Sequence, residues 1–309
     1  MLFLTLLWSL QDSPKDPAVV LRIEPLERVY RPGEPMAMRF VVENATDRDV
    51  ELEEPIDYLE GLQVRDPEAR VVKTPARIRE VKRKHRVDAR GFFGRTLDIS
   101  RILSVPEDRE GAYTLRWQFQ DHASAEVRVF VIRDWLATVE TSVGNIVLEF
   151  HPESAPMHVL NFLSLARKGY YKDCRFYRVI PGFMMQGGDP EKAAKLSPVT
   201  AEFSDRKHLA GTLSMARGAA PNTATSEFFI CFAASPQLDR AYSVFGSVTQ
   251  GMECVQAIER VKTDHSPCAS CGQTLPSRAT QHCGAHHQDR PISPEIVIKN
   301  IALSVRKKP

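Results

Sequence analysis

Two groups of residues in this sequence have the types and spacing to do chemistry. The first is a cluster of thiols and imidazoles, HSPCASCGQTLPSRATQHCGAHHQ, between Asp264 and Asp289. Cys268-x2-Cys271 is followed, after eleven residues, by Cys283-x2-His286. A Cys-x2-Cys turn lets two thiolates grip one tetrahedral Zn2+, and a second such turn completes the shell. Gly272 and Gly284 supply the loose backbone that these turns need. Four protein ligands leave no open position, so such a site is structural rather than catalytic. His265, His282 and His287 are alternative ligands. A disulfide among the three cysteines, in an exported protein, fits the same residues. So does a redox-active Cys-x2-Cys, although no thioredoxin-like βαβ context surrounds it. A loop without a staple is the remaining reading.

The second group surrounds Arg178, in RFYRVIPGFMMQGGD at 175–189. A guanidinium stands there among aliphatic, aromatic and glycine residues. On this stretch alone, the arginine reads as one that snorkels from a strand to solvent or to a surface carboxylate.

These residues must be positioned by the elements around them. From Ala18 to about Arg133 the pattern is strands and turns. Val19–Ile23, Met36–Val42 and Tyr113–Phe119 alternate apolar with polar residues, as half-buried strands do. RPGEP, NATD and EDREG mark turns between strands. Short strands at this spacing predict a β-sandwich over 18–133. The basic run ARIREVKRKHRVDAR, 76–90, reads as a solvated edge strand or hairpin, with a polyanion-binding surface as the alternative. After Leu136, TVETSVGNIVLEF reads as a hairpin turning at Gly144-Asn145. In PESAPMHVLNFLSLARKG, Ser154 is placed to cap a helix, Pro156 to fill its first turn and Gly169 to end it. Val159, Leu160, Leu163 and Ala166 share one face of that helix. A second helix is predicted over Met252–Arg260.

Composition bounds the rest. A net charge of +2 gives no reason to expect nucleic acid as a partner. The apolar start MLFLTLLWSLQ is too short to span a bilayer, which takes roughly 20 residues. Residues 1–17 read as a signal segment or a disordered N-terminus, so the protein is exported, periplasmic or extracytoplasmic, or else cytoplasmic. Cys174, Cys231 and Cys254 lie in apolar surroundings and read as buried, inert thiols.

FYRVIPGFMMQGGDP, followed by GTLSMARGAAPNTATSEFFICFAASPQLDRAYSVFGSVTQGMECV, resembles the cyclophilin-type peptidyl-prolyl cis-trans isomerases. The resemblance runs over 136–305, interrupted by the Cys/His-rich insertion at 264–288. It implies a mainly β protein: the N-terminal sandwich, then a closed eight-stranded antiparallel barrel capped by two helices. It also implies that Arg178 is the donor that weakens prolyl amide resonance. Gln186 would hold the substrate backbone or orient Arg178. Phe183, Met184, Phe229 and Leu238 would form the proline pocket. The Ala216 backbone would pair with the peptide, and Tyr242 would lie at the pocket edge. No cofactor is implied for catalysis, and zinc would be structural. The expected partners are proline-containing peptides or unfolded proteins, and a monomer is expected. The segments RPGEPMAMRFVVENATDRDVEL and EGAYTLRWQF resemble immunoglobulin-like bacterial domains.

The sequence departs from the family pattern in several places. The family often has asparagine at Arg217, glutamine at Glu227 and an aromatic residue at Gln237. It usually has a glycine-rich loop where EKAAKLSPVT stands. These departures leave open a catalytically weak module that binds proline peptides, or a chaperone with a zinc loop.

Overall fold

A computed structural model describes residues 19–73, 81–100, 103, 109–263 and 291–306. The N-terminal segment 1–17, the Cys/His insertion at 264–288 and the start of the basic run lie outside the described residues. The chain divides into two compact units, Met1–Ile132 and Arg133–Pro309.

The first unit is built from sheets that share one core. Val19–Pro25, Ala37–Asn44 and Phe92–Asp98 form a three-stranded antiparallel sheet. A second sheet runs Val29–Tyr30, Val127–Val131, Gly111–Phe119, Leu62–Arg65, Val71–Lys73. Gly111–Phe119 alternates strictly, burying Tyr113, Leu115, Trp117 and Phe119. Phe40, from the other sheet, meets the Trp117 ring edge-on at 5.3 Å, and Tyr58 stacks on it at 5.5 Å. The period-2 pattern of the sequence is thus the pattern of one sheet face turned to a shared core.

The basic run is used structurally. Val81–Val87 pairs with Val50–Pro55, which sets Arg86 opposite Glu51, Lys84 opposite Glu53 and Arg83 opposite Glu54. Burial alone would raise the Glu54 carboxyl. Hydrogen bonds from His85 and Arg83, with the Arg95 charge, outweigh it and hold the group at about 2. Arg83 and Lys84 form ion pairs with Glu54 and Glu53 across this ladder, and Arg86 with Asp49.

The second unit carries an eight-stranded antiparallel sheet. Its order is Arg175–Ile180, Met184–Gly188, Phe228–Cys231, Thr212–Met215, Val244–Gln250, Gly144–Phe150, Trp135–Thr141, Ile298–Val305. The two end strands meet through a bridge between Arg175 and Val297. Phe176 N–H donates to Ile296 and Ile298 N–H to Cys174 there, at 2.9 and 2.8 Å. That closure ties the sheet into a barrel. Phe162 fills one end, with Tyr171, Phe150, Phe228 and Phe245 at centroid distances of 4.9 to 5.6 Å. The expected hairpin turn lies two residues earlier than predicted. Ser142 and Val143 make the turn, and Gly144 already pairs with Thr141. Thr141 Oγ1 donates to the Gly144 carbonyl at 2.6 Å, which fixes that position.

Two helices pack on the barrel, Pro156–Arg167 and Met252–Glu259, and Pro190–Ala193 adds a single turn. The first ends as its sequence predicts. Gly169 takes φ +67°, its N–H donates to Ala166, and Tyr170 N–H reaches Leu165. These are the two bonds of a Schellman motif, which needs a left-handed residue at that point. The start of the helix differs from expectation. Ser154 does not cap it: Ala155 holds the N-cap position one residue on, and the Ser154 hydroxyl accepts from Arg206. Glu202 caps it from 44 residues away, accepting from the Met157 and His158 N–H groups at 2.9 and 3.2 Å. A carboxylate there also answers the positive end of the helix dipole. Glu202→Ala is expected to lower unfolding stability by about 1–2 kcal/mol. A urea titration that leaves the midpoint unmoved would refute this role.

Candidate active site

Arg178 owes its position to an irregularity in its strand. Phe176 pairs with Gly187 and Arg178 with Gln186, so Tyr177 is an extra residue in the ladder. Without that bulge, Arg178 would point the same way as Phe176, whose ring is buried in the barrel against Phe228 at 5.8 Å. With it, Arg178 and Ile180 share a face with Gln186 and Met184, their cross-strand partners. Phe229 and Cys231 continue that face, paired with Gln186 and Met184. Gly187 is required beside the bulge: a Cβ there would lie 2.9 Å from the Phe176 ring.

On the outward face the apolar residues form one cluster. Ile180, Met184, Phe229, Cys231 and Leu238 are buried in it, and Phe183, Ala216 and Tyr242 pack against it. Every residue expected to line the proline pocket is in this group. Phe183 is set by a tight turn in which its N–H donates to Ile180 at 3.0 Å, across Pro181-Gly182. Gly182 has φ +71°, as the third position of a type II turn demands. Glu259 of the second helix accepts the Gly182 N–H at 2.8 Å and fastens the turn.

Beneath Phe229 lies a polar support that the sequence does not announce. The buried His208 ring stacks on Phe229 at 6.0 Å, and Tyr242 meets Phe229 edge-on at 5.6 Å. His208 Nδ1 faces Asp239 at 3.1 Å, and Nε2 faces Ser214 Oγ at 3.1 Å. Asp239 can only accept, so the ring proton sits on Nδ1. Burial lowers the His208 pKa, against the pull of Asp239. Asp239 is held at about 2, chiefly by the His208 backbone N–H, with Lys207 and the imidazole adding. Asp239 lies 31 residues from His208 and the three residues match no motif, so only the fold brings them together.

The polar residues divide sharply. Arg178 makes no hydrogen bond or ion pair among the described residues, although it is only half-exposed. Gln186 Nε2 donates to Tyr177 Oη and, at 3.5 Å, to Glu227 Oε1; Tyr177 Oη in turn donates to that same oxygen. Burial, and then the neighbouring carboxylate, push the Tyr177 phenol up. Gln186 is thereby oriented by Tyr177 and Glu227 rather than by a bond to Arg178. The Ala216 N–H already donates to the Glu227 carbonyl at 2.9 Å, so its carbonyl remains. Arg217 donates to the carbonyls of Ala241, Gly218 and Ala219, and its guanidinium lies 4.6 Å from the Tyr242 ring centroid. It staples the loop that follows Ala216. In place of a glycine-rich loop after Gly188, Asp189 caps a helical turn by accepting from Glu191 and Lys192.

Among the described residues no group of three or more His, Cys, Asp or Glu side chains could hold a metal ion. The ligand set Cys268, Cys271, Cys283 and His286 lies outside those residues. Cys174, Cys231 and Cys254 are buried free thiols, and burial pushes Cys231 up to about 12.

Comparison with known proteins bears on the same unit. The family described as "Cyclophilin type peptidyl-prolyl cis-trans isomerase/CLD" matches residues 136–276. The peptidyl-prolyl cis-trans isomerase ppi1 of Schizosaccharomyces pombe is 37% identical over 173 residues, which cover 53% of this chain and 97% of that protein. A peptidyl-prolyl cis-trans isomerase of Synechococcus elongatus is 42% identical over 129 residues, 41% of this chain and 88% of that protein. A crystal structure of a Cryptosporidium parvum cyclophilin type peptidyl-prolyl cis-trans isomerase, determined in the presence of the dipeptide Ala-Pro, is 28% identical. It has a TM-score of 0.45 and covers 56% of this chain and 99% of that one.

The support beneath Phe229 predicts a pH dependence. The folded Asp239 pKa, about 2, lies below its ordinary 3.8. Its contribution to stability is therefore present above the ordinary value and lost as pH falls through the folded one. Asp239→Asn is expected to be less stable than wild type at neutral pH, with the deficit closing as pH falls from about 3.8 to about 2. Urea midpoints across that range that keep a constant gap would rule it out.

Proposed function

The chain belongs to the cyclophilin-type peptidyl-prolyl cis-trans isomerases, and from that premise we propose that Arg178 lowers the barrier to rotation about an Xaa–Pro bond whose proline ring occupies the Phe229 cluster. The barrier, about 18–20 kcal/mol, comes from resonance between the prolyl nitrogen and the carbonyl. Twisting the bond frees the nitrogen lone pair. A donor aimed at that nitrogen binds the twisted state better than either planar isomer, and an apolar wall strengthens the interaction. No nucleophile or metal is needed. The observation that carries this reading is Arg178 itself. It stands without a hydrogen bond or ion pair among the described residues, on the same sheet face as the apolar cluster.

The remaining roles follow from what each group has left to offer. Gln186 has its amide nitrogen engaged by Tyr177 and Glu227, so its Oε1 is the end that accepts a substrate N–H. The Ala216 carbonyl, and the Arg217 main chain beyond it, extend the edge along which a peptide adds as a strand. Tyr242, stapled by Arg217, closes the pocket edge. The partners are proline-containing segments of peptides or unfolded proteins. We assign 18–133 to an immunoglobulin-like sandwich and 136–305 to the isomerase unit. Cys268, Cys271, Cys283 and His286 hold one structural Zn2+ in this reading, on the strength of their spacing.

Native mass spectrometry of the full chain is expected to find one zinc per chain, lost in Cys268→Ser. A chain lighter by two hydrogens and free of metal would assign the thiols to a disulfide instead. For the isomerase, NMR exchange of a short Ala-Pro peptide is expected to accelerate with wild type and to slow at least tenfold with Arg178→Ala, a loss of about 1.4 kcal/mol. No acceleration by the folded wild type would overturn the enzymatic reading in favour of a binding module.

A further inference from the structure

Glu227 is the acidic group on the peptide-binding face. Paired strands place it there: Phe229 faces the apolar cluster, Phe228 faces the barrel interior, and Glu227 returns to the Phe229 side. Its Oε1 is occupied by Tyr177 and Gln186. Its Oε2 has no partner among the described residues, and no cation forms an ion pair with the side chain. The nearby cations are not available to it. Arg217 is spent on three backbone carbonyls and the Tyr242 ring. Lys192 pairs with Asp189 at 3.6 Å. Arg178 faces Gln186 across the ladder without reaching the carboxylate. The group is half-buried, which keeps part of its charge unscreened.

Distance selects what such a charge can read. Two residues along a strand span about 6.6 Å. The residue next to the proline has its Cα only about 3.8 Å from the proline's, so it is a long lysine or arginine side chain on that residue that spans the remaining offset to Glu227.

We propose that Glu227 is a specificity-determining residue, favouring substrates with a lysine or arginine next to the proline and disfavouring an acidic one. The proposal rests on the assignment of the Phe229 cluster as the proline pocket. A cationic side chain supplies the partner that Oε2 lacks, and an anionic one meets an uncompensated like charge.

The test uses the full chain and three short peptides that differ only beside the proline, carrying Lys, Ala or Glu, on its N-terminal side in one set and its C-terminal side in another. NMR gives both the exchange rate and the dissociation constant for each. In at least one set, wild type is expected to favour Lys over Glu by roughly threefold or more at low salt, as a single partly exposed charge pair allows. High salt is expected to shrink that ratio. Glu227→Gln keeps an acceptor for Tyr177 and is expected to collapse the ratio towards one, whatever it does to the rate with the Ala peptide. A Lys/Glu ratio near one in wild type in both sets, or one that survives unchanged in Glu227→Gln, would overturn the proposal. The two readings fail separately. Charge-ranked binding without acceleration would remove turnover and keep the specificity. Acceleration without charge ranking would remove the specificity and keep the isomerase.

Discussion

The barrel can hold an arginine in an apolar strand only because that strand is one residue out of register at Tyr177. A one-residue slip exchanges the two faces of everything beyond it. Had the Phe176 ladder continued unbroken, the guanidinium would point into a space filled by Phe228 and Phe162. Burying an unpaired charge costs several kcal/mol or more. A bulge leaves one ladder position unpaired, at a net cost of about 1 kcal/mol. The difference decides the geometry. Once Arg178 is turned outward, Ile180 turns with it, and both Met184 and Gln186 fall into place as their partners. The face that carries the apolar cluster is a consequence of that register.

What surrounds Arg178 follows the same logic of satisfaction. Nearby cations are each given something to bind: Arg217 has carbonyls and a ring, Lys192 has Asp189, Lys207 has Asp239. Among the described residues Arg178 has no hydrogen bond or ion pair. Gln186 is held in the opposite manner, with its nitrogen committed to Tyr177 and Glu227 so that its oxygen is presented. Phe229 rests on a neutral imidazole that Asp239 orients and burial keeps uncharged. Support of this kind fixes the Phe229 ring within its apolar cluster.

The first unit handles charge differently. Its basic strand lies against a strand carrying three glutamates, and one of those, Glu54, is buried among His85, Arg83 and Arg95. The cations serve strand pairing. Around Trp117, aromatic rings from both sheets supply the core.

Much of this was legible in the sequence. Period-2 alternation marked the strands of the first unit, and Gly169 marked the end of the first barrel helix, because both depend on neighbours only a few residues away. The motif around Arg178, through its family resemblance, also named the residues now found in one apolar cluster. Other features were decided by the tertiary structure alone. The helix start is capped by Glu202 and not by Ser154, which has the right type but lies one residue before the N-cap, Ala155. The hairpin turns at Ser142-Val143, where the pairing of the whole strand puts it. Tyr177 is a bulge only in relation to Gly187 and Gln186, and His208 supports Phe229 only once Asp239 and Ser214 have been brought to it. Local preference is written in adjacent residues; register and support are settled by which distant segments win the competition to pack together.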